Sequence, residues 1–86
     1  MPEISRFFGI VIFMFYKEHQ PPHFHARYGG QGASIRIGNL EILKGSLSPR
    51  AIRLVKEWAK MHKDELMQNW EKARQKDILV PIEPLK

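Results

Sequence analysis

The residues best suited to chemistry are concentrated in His19-Gln20-Pro21-Pro22-His23-Phe24-His25-Ala26-Arg27. Imidazole exchanges a proton near neutral pH and binds transition metals through a neutral nitrogen. A guanidinium group holds phosphate oxygens. The two prolines impose an extended approach, and a strand is expected from His23. Alternation along that strand turns Phe24, Ala26 and Tyr28 to one side and His23, His25 and Arg27 to the other. Two chemistries fit this arrangement. In the first, His23, His25 and Arg27 form an acid–base site. One imidazole takes the proton of a ribose hydroxyl while the arginine stabilises developing charge, and no cofactor is needed. In the second, His19, His23 and His25 form an open three-ligand site for zinc or nickel, with Glu18 and Glu41 the nearest supporting carboxylates. The absence of a thiolate ranks the metal reading below the first. A plain alternative is an aromatic–histidine cluster that satisfies loop carbonyls at the end of a strand.

The elements that must position these groups follow from periodicity. Met1 to Arg6 reads as a lead-in, and Phe7-Phe8-Gly9 as a bend. Ile10 to Tyr16, β-branched and aromatic without alternation, reads as a central strand covered on both faces. His23 to Tyr28, Ala33 to Ile37 and Leu40 to Lys44 complete four strands. Gly29 to Gly32 and Gly38-Asn39 serve as turns. With a symmetric glycine loop, His25 faces Arg36 and Ala26 faces Ile35. With a turn at Gly38-Asn39, Arg36 faces Glu41 and Ile35 faces Ile42. Apolar pairs then share one face, and a row of His25, Arg36 and Glu41 crosses the other.

Ser48-Pro49 is a helix start, with serine as N-cap and proline in the first turn. No glycine or proline interrupts Ala51 to Lys76. Ile52, Val55, Ala59, His62, Leu66, Trp70 and Ala73 form one stripe at helical spacing. This is either one long helix or two helices bent near Met61–Lys63. Leu54, Trp58 and Met61 form a second strip on the flank. It is expected to meet the tail, a second copy of the chain or a partner protein. Arg53 and Lys56, with Arg27 and Arg36, are candidate nucleic-acid contacts, although a solvated mixed-charge face explains the helix residues equally. The tail from Ile78 to Leu85 is apolar and broken by proline.

Composition narrows the classes. The 86 residues carry a formal charge of +5, which suits an acidic partner such as RNA, DNA or an acidic protein. The absence of cysteine favours a reducing cytoplasm. The longest apolar run spans about ten residues, half of the ~20 needed to cross a bilayer. The expected organisation is a single domain: a β meander over 1–48, a helical segment over 49–76 and an extended tail over 77–86.

The run Pro21-Pro22-His23-Phe24-His25-Ala26, preceded by Ile12-x-Met14 and His19, resembles a small bacterial domain-of-unknown-function family, number 4160. Similar to it also are the start from Met1 to Ile10, Gly45-Ser46-Leu47, Leu54-Val55-x-Glu57-Trp58, Asn69-Trp70 and the closing Ile82-Glu83-Pro84-Leu85. The resemblance implies a prokaryotic cytoplasm and a small protein partner encoded by a neighbouring gene. Members are often encoded beside a second small domain, and the pair is proposed to be a toxin–antitoxin module. It implies no catalytic residue. The expected fold is α+β, a four-stranded, mainly antiparallel meander packed on a long or kinked C-terminal helical segment. The expected function is that of a toxin-like module that binds a small partner protein and acts on RNA through its His/Arg strand face. The alternatives are a non-catalytic nucleic-acid-binding regulator and a histidine-based metal-binding domain.

Overall fold

The computed structural model describes residues 2–86. Five strands form one antiparallel meander in chain order: β1 (Glu3–Phe7), β2 (Ile10–Phe13), β3 (His23–Tyr28), β4 (Gln31–Arg36) and β5 (Ile42–Gly45). Two helices follow, α1 (Pro49–Met61) and α2 (Lys63–Arg74). The architecture is α+β as expected, with five strands rather than four. The additional strand, β1, comes from the lead-in. Phe8 and Gly9 both adopt positive φ (49° and 81°), the backbone of a two-residue type I′ hairpin turn. That turn folds Glu3–Phe7 back onto β2. A register irregularity between Glu3 and Ser5 buries both Ile4 and Ser5, so the strand lacks the clean alternation by which strands are recognised.

The β3–β4 turn is tighter than expected. Gly29 and Gly30 alone make it, so His23 pairs with Arg36, His25 with Ser34 and Ala26 with Ala33. This register differs from the expected one by two residues. A shift of two preserves which side each residue faces, so the face assignment survives while the partners change. On the next pair, Ile35 opposes Ile42 as expected, with an irregularity between Ser34 and Ile35. The row crossing the outer face is therefore Phe13, His25, Ser34 and Lys44, not His25, Arg36 and Glu41. Gly38-Asn39 sits in a wider turn, in which buried Leu40 takes φ 61°. At Gly45, also at positive φ, a Cβ would run into the Gly32 carbonyl, so β5 lies against β4 only because that side chain is absent.

The helices cover the sheet face bearing Ile4, Phe7, Ile10, Ile12, Phe24, Ala26 and Ile35, all core residues. Ser48 caps α1 by accepting the Ala51 N–H at 3.2 Å, with Pro49 in the first turn. The helical segment is broken at His62 (φ −128°). A continuous helix over 49–74 would run about 39 Å at 1.5 Å per residue, longer than the 33 Å maximum extent of the fold. The break folds the second half back onto the core, burying Leu66, Trp70 and Ala73 on the expected stripe. Trp58 does not stand on an exposed flank. It is fully buried, packed against Phe7 and Phe24, and its indole N–H donates to the Glu83 carbonyl at 2.8 Å. The tail is the reason. It crosses α2, where Asn69 donates to the Val80 carbonyl and accepts the Val80 N–H, both at 2.8 Å. It then meets β1 through Ile82 N–H to the Ile4 carbonyl and buries Leu79, Ile82 and Leu85.

Candidate functional site

The outer face of the sheet carries the imidazoles, and the loop between β2 and β3 brings them a carboxylate. That loop is pinned in several places. The Met14 N–H donates to the Pro2 carbonyl, the Lys17 N–H to the Ala73 carbonyl at the end of α2, and the Ile37 N–H to the Pro22 carbonyl. Lys17 sits at φ 57° and the Gln20–Pro21 bond is cis. The path sets Glu18 over β3, where Oε1 lies 2.6 Å from His25 Nε2 and Oε2 lies 3.2 Å from His23 Nε2. One carboxylate thus bridges both rings.

The far nitrogen of each ring is also held. His23 Nδ1 lies 2.7 Å from the Pro21 carbonyl, and His25 Nδ1 lies 3.2 Å from the Ser34 hydroxyl. A carbonyl only accepts, so the hydrogen at His23 Nδ1 is on the ring. His25 Nε2 hydrogen-bonds one oxygen of the Glu18 carboxylate, and His23 Nε2 faces the other at ion-pair distance. The Ser34 hydroxyl can donate to His25 Nδ1 or accept from it. Aromatic rings fix the imidazole planes. His25 stacks on Phe13 at 5.2 Å between centroids and meets the edge of Phe15 at 4.8 Å. His23 lies 5.2 Å from Trp70, a residue of α2.

Burial pushes the Glu18 carboxyl upward, but hydrogen bonds and charge from His25, and then from His23, outweigh it and hold Glu18 below its ordinary value of 4.5. A folded-state value below the unfolded one stabilises the fold above the unfolded value, and that stabilisation is lost as pH falls through the folded value. Acid titration of unfolding, with chelator present, is therefore expected to show wild type losing stability below about pH 4.5, where Glu18→Gln shows a shallower fall. Identical slopes would mean that Glu18 is not ion-paired in solution.

The sequence-derived candidates separate on the structure. His23 and His25 come together on one face, with ring centroids 5.2 Å apart. Arg27 and Arg36 are exposed on the same face, Arg36 opposite His23, and the Arg27 guanidinium lies 5.8 Å over the Phe13 ring. His19 lines the same cleft, a hollow of about 350 Å³ shared with Glu18, Pro21, Ser34 and Lys44. It is exposed and is not part of the converging ligand group, which among the described residues is Glu18, His23 and His25. Arg53 and Lys56 belong to α1, behind the opposite sheet face, so the four proposed nucleic-acid contacts do not form one surface. Of the Leu54, Trp58 and Met61 strip, Trp58 is buried and Leu54 partly buried, while Met61 is 61% exposed. Sequence reasoning missed Ser34 and the two phenylalanines as site residues, and placed Glu18 only as a supporting group. The signal for Ser34 was its place in β4 alternation between Ala33 and Ile35.

A family model described as "Domain of unknown function (DUF4160)" matches residues 9–71. The chain belongs to that family. The DUF4160 match spans β2 to most of α2, and so includes Glu18, His23, His25 and Ser34. No curated protein and no solved structure matches the chain. Among the described residues, no helix is long and apolar enough to cross a membrane.

Proposed function

We propose that this DUF4160 domain binds single-stranded nucleic acid, RNA above all, across the outer face of its sheet. The observation that carries this is the grouping of Arg27, Arg36 and Lys44 on the face that holds the imidazole pair. The charge of Glu18, the acid nearest that pair, is taken up by the two rings. Phe15 and Tyr16, 40% and 44% exposed on the adjoining loop, offer ring faces for bases. Cationic grooves with accessible aromatics suit single strands because every base has a face to stack and every phosphate a charge to pair. Among the described residues, both helices lie on the opposite face, so this side offers no helix for major-groove reading.

The test is fluorescence anisotropy with a short single-stranded RNA over a range of salt. Arg27→Ala and Arg36→Ala are each expected to weaken binding and to reduce the slope of log affinity against log salt by about 0.7 for each phosphate no longer neutralised. Arg53→Ala and Lys56→Ala, on the helix side, are expected to leave both quantities unchanged. Binding that depends on the helix pair instead, or no binding at low salt, overturns the proposal.

A further inference from the structure

We infer that Glu18, His23 and His25 form a binding site for a late first-row divalent cation such as zinc, cobalt or nickel. The first ground is convergence. One carboxylate oxygen and one nitrogen from each ring all lie within 4.8 Å of one another. Metal bonds of about 2.0–2.1 Å in a tetrahedral site put neighbouring donors roughly 3.4 Å apart. The Glu18 contacts of 2.6 and 3.2 Å reach that spacing by small side-chain rotations. The strand backbone need not move, because both histidines project from one face of β3.

The second ground is the anchoring of the distal nitrogens. A ligating imidazole is oriented by a partner on its other nitrogen, typically a backbone carbonyl, carboxylate or water. Pro21 supplies such a carbonyl to His23, and Ser34 supplies a hydroxyl to His25. A ligating imidazole binds as a neutral ring through Nε2 with its hydrogen on Nδ1. The Pro21 carbonyl can accept that hydrogen from His23, and the Ser34 hydroxyl, which can accept as well as donate, can take it from His25. The third ground is donor type. Two imidazoles and one carboxylate suit zinc, cobalt, nickel and copper, whereas magnesium and calcium take oxygen donors. Three protein donors leave at least one coordination position for water or an anion, and the cleft these residues line provides the space.

The inference does not rest on nucleic-acid binding and is tested without it. Tag-free protein, stripped with a chelator, is titrated with cobalt by visible absorption and with zinc by calorimetry. Saturation at one equivalent is expected, with cobalt bands of a low-coordinate site. Glu18→Gln and His25→Gln are each expected to weaken zinc binding by more than tenfold, the lower end of what losing even an outer-shell partner costs (about 10–100-fold). His19→Ala is expected to bind as wild type does. His23 packs against Trp70, so if His23→Ala does not fold, the Glu18 and His25 variants, each checked by circular dichroism, decide the question. No saturable binding by wild type, unchanged affinity in both variants, or loss of binding in His19→Ala overturns the inference. RNA anisotropy repeated in chelator then shows whether the nucleic-acid reading stands without it.

Discussion

Trp58→Ala is expected to destabilise the domain by about 3–5 kcal/mol, the usual cost of deleting a buried tryptophan side chain. Trp58 is fully buried between Phe7, Phe24 and the tail, so no solvent can follow the truncation inward without opening the core. Small domains have about 5–15 kcal/mol in total, and a chain of this length buries little more than about 60% of its unfolded surface. The variant should therefore sit close to its unfolding threshold. Urea titration followed by circular dichroism measures the loss. Trp58→Phe is expected to cost less than the alanine variant, since it keeps an aromatic ring in the core while losing part of the indole volume and the hydrogen bond to the Glu83 carbonyl, the latter worth about 1 kcal/mol. A loss below about 1 kcal/mol for the alanine variant would return Trp58 to the surface, where a partner could reach it.

Deleting residues 78–86 is expected to abolish cooperative folding. The segment contributes three buried side chains, Leu79, Ile82 and Leu85, at roughly 1.5–3 kcal/mol each. It also receives the Trp58 indole and satisfies both ends of the Asn69 amide. Asn69 is almost fully buried, and its stranded amide would add about 1–3 kcal/mol of desolvation cost. Together these terms match the total stability of a small domain. Loss of the near-ultraviolet dichroism of the two tryptophans, with a broad thermal transition, is the expected result. A sharp transition at an unchanged midpoint would show that the tail is an appendage.

These two results concern the part of the molecule least legible in the sequence. A proline-broken apolar tail is compatible with an edge strand, a helix-side strap or insertion into another chain, and no local pattern chooses among them. The choice falls to the strap, in which backbone groups of Val80 pair with the Asn69 amide and the Glu83 carbonyl accepts the Trp58 indole N–H. The same choice explains Trp58. Helical spacing places it at the edge of the main stripe. What spacing cannot convey is that the buried face of α1, which carries Ala51, Val55, Trp58 and Ala59, is wide enough to include it, with the tail receiving its indole N–H.

The candidate site divides in the same way. The common face of His23, His25 and Arg27 follows from two-residue alternation, a property of each strand alone, and it survives a two-residue error in the β3–β4 register. The arrival of Glu18 depends on Met14, Lys17 and Pro22, held by backbone bonds to residues distant in sequence, so the neighbour of the imidazoles is set by where the loop is tied down. His19, one residue away, is the more obvious ligand by type, yet it is exposed on the wall of the cleft.

By itself, then, the sequence determined the α+β class, the meander, the capped helix start and the face on which the imidazoles stand, because alternation, helical period and capping are local and each residue carries its own share of them. The structure decided the fifth strand, the break at His62, the burial of Trp58 and the bridging carboxylate, because each depends on what a segment packs against: β1 on β2, α2 folded back onto the core, Trp58 against Phe7, Phe24 and the tail, and Glu18 on a loop tied to Pro2, Ala73 and Ile37.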